Sequence, residues 1–279
     1  MNVGKEKFHF WGIVPLKEAI YRLLIELTNG KWSSYLIKKF VQSNWSGHCI
    51  PPFSKFYNIN IHEMEKDIKD YKSLHEFFIR KLKDNAREIE SSFEKIISPV
   101  DAIIEDIGNV QKNRMITVKG KSYSILDMLG DEQVVNKYID GHYMILYLSP
   151  SHYHRIHSPV FGEITKQWTL GSKSYPVNKY GLKWGKDTLS KNYRTVTEIQ
   201  TKSNDYICMV KVGAMFINSI VISHREQQLV KGEEMAYFSF GSTVVLLFEK
   251  DKFKQRKFPS IPYQVKIGEV IGEFKQKEN

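Results

Sequence analysis

The feature that most limits the fold is a series of short apolar segments, rich in β-branched residues and separated by glycine or proline, that follows Ile96. The segments are IIEDIG, MITVKG, YMILYLSP, GEITKQWTLG, RTVTEIQ, YICMVKVGAMFINSIVI, STVVLLFEK and YQVKIGEVIGEF. Most connections between them are too short for a helical crossover, so the pattern predicts antiparallel strands. Ser124–Leu129 predicts one short helix among them. Residues 91–279 are therefore expected to form an antiparallel, β-sandwich-like body.

The first 90 residues predict helices instead. Apolar residues recur at helical spacing in Lys31–Gln42, Ile61–Tyr71 and Ser73–Leu82. The Pro51-Pro52 pair predicts a break in this series, because proline inside a helix removes a backbone donor. Residues 16–27 predict one further amphipathic helix. The whole chain is thus expected to belong to the α+β class, with an N-terminal helical portion packed on the β-rich body.

Aromatic residues precede the first predicted helix, at Phe8, Phe10 and Trp11. Such residues suit an interfacial membrane anchor. Packing of the helix on its own domain would explain the same periodicity. No run of 18 or more apolar residues occurs, so the sequence predicts no membrane-spanning helix.

The charge of the chain favours an anionic partner. Lysine and arginine total 41 against 31 acidic residues, which gives a net charge of +10 at pH 7. No helix-turn-helix, zinc-finger or RNA-binding motif accompanies this excess, so an anionic membrane is favoured and nucleic acid is not expected. The two cysteines, Cys49 and Cys208, lack metal-ligand spacing and no HExxH motif occurs, so we predict no metal.

Three histidines lie close together in the segment SPSHYHRIHSP, at His152, His154 and His157. Histidine is the side chain best suited to move protons near neutral pH. A hydrogen-bonded loop would explain any one of them. Three together, without a cysteine or carboxylate to complete a metal site, favour acid–base chemistry.

Two further places can carry chemistry. Asp101 follows a Ser-Pro pair, where aspartate is commonly a turn residue, but it could also orient a histidine and stabilise its cation. The Gly241-Ser242 bond precedes a buried strand. A serine hydroxyl can attack the preceding carbonyl in an N→O acyl shift, and glycine tolerates the strained backbone that this needs. Elimination of the ester and hydrolysis would then leave a pyruvoyl group. By itself, the Gly-Ser pair predicts only a turn.

Taken together, these segments resemble the phosphatidylserine decarboxylases of the short bacterial type. The matching stretches are FFIRKLKDNAREI, ISPVDA, VKGKSYSILDMLG, YLSPSHYHRIHSP, KSYPVN, NYRTVTEI, VKVGAMFINSI and KGEEMAYFSFGSTVVLLFE, in the family's order. The resemblance covers nearly the whole chain from about Tyr21. The combination of SPSHYHRIHSP with a downstream FGST is its most specific part.

The resemblance implies a role for each candidate residue. Ser242 would attack Gly241 and become a covalently bound pyruvoyl group, which then forms a Schiff base with the substrate. His157 would deprotonate Ser242, and Asp101 would stand behind His157 in this self-cleavage relay. His154 would serve the decarboxylation.

The implied activity converts phosphatidylserine to phosphatidylethanolamine and CO₂ after self-cleavage. The products of the cut, residues 1–241 and 242–279, would stay together as a heterodimer, and a homo-oligomer is compatible with the sequence. Residues 1–90 would form the membrane-associating region and residues 91–279 the catalytic domain. The expected location is the cytoplasmic face of the cell membrane, with peripheral attachment.

One position departs from the family pattern, because Ala102 stands where glycine commonly follows the aspartate. If the turn required positive φ, alanine would strain it and misplace Asp101. Two alternatives remain open from the sequence. One is an unprocessed, lipid-binding relative of the same fold without lyase activity. The other is a carrier module of the biotinyl or lipoyl type, although no convincing lysine in a tight hairpin is present.

Overall fold

The computed structural model describes residues 31–214, 220–239 and 242–275. Seven α-helices lie in these ranges: α1 Lys31–Gln42, α2 Ile50–Phe56, α3 Leu74–Phe78, α4 Ile125–Leu129, α5 Glu132–Tyr138, α6 Lys179–Trp184 and α7 Thr188–Lys191. Short 3₁₀ turns occur at Asn44–Cys49, Ile61–Glu63 and Ile68–Asp70. The helices before the first strand have a small apolar core of their own, which includes Ile50, Met64 and Phe77.

Sixteen strands follow from Lys95 onward. They are β1 Lys95–Ile97, β2 Ala102–Asn109, β3 Met115–Val118, β4 Lys121–Ser124, β5 His142–Leu148, β6 Arg155–His157, β7 Gly162–Leu170, β8 Arg194–Gln200, β9 Tyr206–Gly213, β10 Ile220–Ile222, β11 Gln228–Leu229, β12 Glu234–Phe238, β13 Ser242–Phe248, β14 Phe253–Gln255, β15 Tyr263–Val265 and β16 Val270–Phe274. Every pair of neighbouring strands in the described sheets is antiparallel. The predicted α+β class is confirmed.

One eight-stranded sheet organises the body, in the order β11-β7-β8-β9-β13-β5-β2-β15. The three-stranded sheets β10-β12-β6 and β1-β16-β14 pack on one face of it, where Ile156, Phe238 and Ile271 join residues of the large sheet in one core. The β3-β4 hairpin and helices α4 to α7 cover the other face. Because both faces are buried, the central strands are almost continuously apolar rather than alternating, and all seven residues of β13 are buried.

The predicted helix Lys31–Gln42 is confirmed at both bounds, and the helix predicted over Ser124–Leu129 is present as α4. The predicted break at Pro51-Pro52 is wrong: the two prolines lie in the first turn of α2, where a missing N–H costs no hydrogen bond. The helical segments predicted over Ile61–Tyr71 and Ser73–Leu82 contain only two 3₁₀ turns and the five residues of α3.

Three short helices in the β-rich body were not predicted, namely α5, α6 and α7. Each is seven residues or shorter, so each offers too little helical periodicity to be recognised in the sequence. The predicted helix over residues 16–27 and the aromatic residues before it lie outside the described residues. In the part of the chain that is described, no helix is both long and apolar enough to cross a bilayer.

The core contains a buried lysine whose effect on the free energy of unfolding can be tested. Lys211 on β9 is fully buried, and its Nζ donates one hydrogen bond, of 2.6 Å, to Thr197 Oγ1. Burial lowers the pKa of Lys211 to about 7, because the charged form loses its hydration. The unfolded chain therefore binds a proton that the folded protein lacks between about pH 7 and the ordinary lysine pKa of about 10.4. This group makes the folded state less stable as the pH falls through that window.

We predict that Lys211→Met stabilises the protein at pH 7 by on the order of 4 kcal/mol, since the pKa of Lys211 is lowered to about 7 and each pKa unit corresponds to about 1.4 kcal/mol. The gain should shrink as the pH rises toward 10, because the lysine of the unfolded chain then begins to lose its proton as well. Chemical denaturation of both proteins between pH 6 and 10 measures this difference. The exposed Lys112→Met is the matched control and should show no such trend. A pH-independent difference for Lys211→Met would contradict the assignment.

Candidate active site

The start of β13 is paired on both sides within the large sheet. Ser242 lies opposite Leu148, the last residue of β5, and opposite Gly213, the last residue of β9. The segment with the three histidines begins directly after Leu148. The strand register therefore brings Ser242 and the histidine segment to the same end of the sheet.

The same register brings Asp101 to that end. Tyr147 of β5 lies opposite Thr243 on one side and opposite Ile103 of β2 on the other. Asp101 directly precedes Ala102, the first residue of β2, so it lies at this same end of the sheet. Three segments far apart in sequence thus meet at one sheet edge.

The Ser242 hydroxyl is completely buried and has no hydrogen-bond partner among the described residues. Neighbouring groups fix its backbone: the Thr243 hydroxyl donates to the Val177 carbonyl at 3.2 Å, and the Asn192 amide donates to the Gly213 carbonyl at 2.8 Å. Gly241, on the other side of the predicted cut, lies outside the described residues. A buried hydroxyl without a partner is costly, which is typical of a group kept for chemistry.

His157 ends strand β6, and its Nδ1 lies 2.7 Å from the carbonyl oxygen of Gly232. Because a carbonyl only accepts, Nδ1 carries the hydrogen and Nε2 carries the lone pair. That Nε2 is buried and unpartnered among the described residues. Burial lowers the pKa of His157 below its ordinary value, although the bond to Gly232 opposes this effect. The ring is a neutral base at pH 7.

His154 is fully buried, with Nδ1 2.9 Å from the carbonyl oxygen of His152 and an unpartnered Nε2 in the described structure. The Phe78 ring of α3 lies against it, with 3.9 Å between the ring centroids. Burial, reinforced by the positive charge of Arg80, holds the pKa of His154 well below its usual range. Its own carbonyl accepts from Phe238 N at 2.9 Å, which ties it to β12, four residues before Ser242.

The third histidine of the segment, His152, closes a turn. Ser149 N donates to its Nδ1 at 3.0 Å, so this ring nitrogen is an acceptor. Burial lowers the pKa of His152 as well. A role in a hydrogen-bonded loop is therefore enough to explain His152.

Asp101 is buried, and its carboxylate is bound by groups other than His157. Arg87 donates through Nε to Oδ1 at 3.0 Å and through Nη2 to Oδ2 at 2.5 Å, and Ile267 N donates to Oδ1 at 2.9 Å. The same Nη2 reaches Glu63 at 2.8 Å. Within the described residues, no hydrogen bond joins Asp101 to His157 or His157 to Ser242. The relay therefore stays a prediction, and its three members lie in one region of the structure.

Ala102 adopts extended backbone as the first residue of β2, opposite Val265 of β15, and it does not have positive φ. Its side chain is fully buried in the core. The alanine therefore places no strain on the turn that carries Asp101, and the reason for expecting a disabled relative disappears.

Several groups at the site were not identified from the sequence. Arg87 and the Gly232 carbonyl, which hold Asp101 and His157, are the main ones. A cavity of about 290 Å³ reaches His157 from the surface and is also lined by Arg87, Tyr153 and Gly232. The stretch FFIRKLKDNAREI contains Arg87, so the signal was present, but its contact with Asp101 requires the fold. No group of three potential metal-ligating side chains occurs in the described ranges.

Comparisons with known proteins give consistent results. The sequence model of the family described as phosphatidylserine decarboxylase matches residues 74–273. A phosphatidylserine decarboxylase proenzyme of Geobacillus sp. (strain WCH70) is 55% identical over 256 residues, which cover 92% of this chain and 98% of that protein. Proteins of the same name from Anoxybacillus flavithermus and Bacillus cereus are 53% and 50% identical, over 93% and 92% of this chain and 97% of each relative.

The Arg87–Asp101 pair gives a prediction about stability. Arg87→Ala leaves the Asp101 carboxylate buried without its bidentate partner, so we expect a loss of about 3 kcal/mol in the free energy of unfolding. Denaturant titration measures it. Arg114→Ala, which removes a more exposed pair with Glu132, is the control and should cost less than about 1 kcal/mol. Equal losses in the free energy of unfolding for the two variants would show that the buried Arg87–Asp101 pair contributes no more to stability than the exposed pair.

Proposed function

This chain belongs to the phosphatidylserine decarboxylase family, and from that premise we propose that it removes the carboxyl group of phosphatidylserine, giving phosphatidylethanolamine and CO₂. The relatives carry that activity in their names and match nearly the whole chain. Their names also include the word proenzyme, which supports synthesis as a precursor. The observation that best supports the proposal is the Ser242 hydroxyl, which is buried and has no hydrogen-bond partner among the described residues.

In the proposed processing step, Ser242 Oγ bonds to the carbonyl carbon of Gly241 while the peptide C–N bond breaks, which gives an ester and a free amine. β-Elimination then releases the carboxylate that ends at Gly241 and leaves dehydroalanine, and water converts dehydroalanine to the pyruvoyl group with loss of ammonia. The first step needs a base for the hydroxyl proton. The neutral His157, whose Nε2 lone pair has no partner among the described residues, is suited to that role.

Asp101 has a less direct part in this proposal. The Gly232 carbonyl already orients the His157 ring, so the carboxylate is not needed to set its tautomer. The negative charge of Asp101 is close enough to favour the protonated ring. Asp101 therefore stabilises the imidazolium that forms when His157 takes the serine proton, with Arg87 holding the carboxylate in place.

The pyruvoyl group, when present at Ser242, supplies an electron sink for the electrons released as the carboxylate leaves. Its surroundings fit such a group, since the site is buried and includes two histidines whose Nε2 atoms have no hydrogen-bond partner among the described residues. We propose that His154 moves the proton in this half of the reaction. Because its pKa lies well below the ordinary range, His154 is neutral before substrate binds and takes up a proton only with the substrate's negative charge nearby.

Membrane association is the second part of the proposal. The helices before the β-rich body carry exposed large apolar side chains, of which Trp45 and Phe56 are each 80% exposed and Leu36 is 65% exposed. Exposed aromatic residues interspersed with lysines, such as Lys39 and Lys55, suit the interface of an anionic bilayer. We propose peripheral attachment through this surface, on the cytoplasmic face of the cell membrane.

The processing proposal is tested by denaturing intact-mass analysis of the purified protein. We expect two chains, residues 1–241 and 242–279, with the smaller one blocked by an N-terminal pyruvoyl group. Ser242→Ala should remain one chain, because it lacks the nucleophile, and His157→Ala should be cleaved at least about 100-fold more slowly, as expected for loss of a general base. A single full-length wild-type chain would instead support the uncleaved, lipid-binding alternative.

His154→Ala separates the two halves of the chemistry. We expect it to be cleaved into the same two chains but to release CO₂ from phosphatidylserine at least about 100-fold more slowly. Radiometric CO₂ release, with the pyruvoyl content of each preparation determined by mass, measures the turnover per active site. Normal turnover in cleaved His154→Ala would remove this residue from the decarboxylation.

The membrane proposal is tested by liposome sedimentation. The double variant Trp45→Ser/Phe56→Ser should bind vesicles of phosphatidylserine and phosphatidylcholine about tenfold or more weakly than the wild type, because apolar area is lost at the interface. Phe93→Ser removes an aromatic residue that is 61% exposed elsewhere and is the control. Binding by the wild type should weaken at high salt. Equal loss in both variants would show that the surface of the N-terminal helices has no special role.

A further inference from the structure

The buried arginines of this protein differ in how many of their side-chain nitrogens have hydrogen-bond partners. Arg194 donates to three backbone carbonyls, at 2.6–2.9 Å, and Arg87 and Arg155 each have carboxylate partners. Arg80 is only 4% exposed, yet its Nε and Nη1 have no hydrogen-bond partner among the described residues. Burial lowers the pKa of Arg80 to about 10, so its guanidinium still carries a full charge at pH 7. A buried cation without a counter-ion is a costly arrangement unless an anion joins it.

Arg80 is also directly connected to the site. Its Nη2 donates to the His152 carbonyl oxygen at 3.0 Å, and the same oxygen lies 2.9 Å from His154 Nδ1. Phe78, two residues before Arg80, lies against the His154 ring. Arg80 is therefore linked through one backbone carbonyl to the histidine assigned to the decarboxylation.

Arg80 also lines a cavity of about 280 Å³, together with Tyr71, Ile79, Lys81, Arg155, Glu65, Lys66 and Glu76. The Tyr71 hydroxyl is buried and, like the two Arg80 nitrogens, lacks a partner in the described structure. Of the two carboxylates of the cavity, Glu76 pairs with Lys66 and accepts from Lys72 N. Arg80 and Tyr71 thus line the same cavity.

We propose that Arg80, assisted by the Tyr71 hydroxyl, binds an oxyanion of phosphatidylserine and so positions the lipid headgroup at His154. This assignment rests on the proposed function and adds the residues that recognise the substrate. The oxyanion is either the phosphate or the carboxylate of the headgroup, because a guanidinium and a hydroxyl bind both. Arg80 is a substrate-binding residue here and has no part in self-cleavage.

The test compares Arg80→Met, Arg80→Lys and Tyr71→Phe with the wild type, in mixed micelles of detergent and phosphatidylserine. Intact-mass analysis first establishes that each variant is cleaved. In Arg80→Met we expect KM to rise roughly 10- to 100-fold, as for loss of charge-assisted hydrogen bonds. The rise should be smaller in Arg80→Lys, which keeps the charge, and about threefold or more in Tyr71→Phe. The exposed Arg225→Met is the matched control and should keep the wild-type KM.

Inhibition by phosphatidylethanolamine identifies the oxyanion, because this product retains the phosphate and lacks the carboxylate. Weaker inhibition of Arg80→Met, in parallel with the higher KM, assigns the phosphate. Unchanged inhibition with a higher KM assigns the carboxylate. An unchanged KM in cleaved Arg80→Met overturns the proposal. If that variant is not cleaved, Tyr71→Phe decides in the same way, since it removes one hydroxyl and keeps the aromatic ring. Wild-type protein that stays whole contradicts the proposed function instead.

Discussion

The pairing of β13 with both β5 and β9 is the constraint on which the rest of the structure depends. Alternate residues Val244, Leu246 and Phe248 face the core beneath the β10-β12-β6 sheet, so Ser242 points to the same face. Strands β6 and β12 carry His157 and the backbone partner of His154. A slip of β13 by one residue would turn the hydroxyl to the opposite core, away from both histidines. The pairing with β5 and β9 and the close fit of the β13 side chains into both cores oppose that slip.

The same burial governs the charges at the site. It keeps His154 and His157 neutral, and it makes a single backbone carbonyl enough to set each tautomer. Where a charge is retained, it is either paired, as in Arg87 with Asp101, or it keeps donors that have no partner among the described residues, as in Arg80. The first arrangement fixes a carboxylate before substrate arrives. The second leaves free donors for an anion, which is the physical basis for assigning different tasks to the two arginines of one segment.

The sequence could predict the fold class because apolar, β-branched segments with short connections allow few arrangements. It also located the residues that meet at the sheet edge, since Asp101, His154 and Ser242 each adjoin a recognisable strand or motif. It could not predict their partners. The bonds of His157 to Gly232 and of Asp101 to Arg87 depend on backbone placement and on contacts across the sequence. The prediction at Pro51-Pro52 is wrong for a local reason. Proline is found both where a helix ends and in the first turn of a helix, and the sequence does not distinguish the two.

The proposed cut can leave the fold intact because of where the strands after it lie. Strand β13 fills the centre of the large sheet, β15 extends its edge by pairing with β2, and β16 pairs with β1 in a separate sheet. The segment after the cut thus has three strands that are paired with strands preceding the cut. Its departure would expose both main cores at once. Breaking one peptide bond at the start of β13 therefore frees the new chain end for chemistry, while the strand pairing holds that end in position.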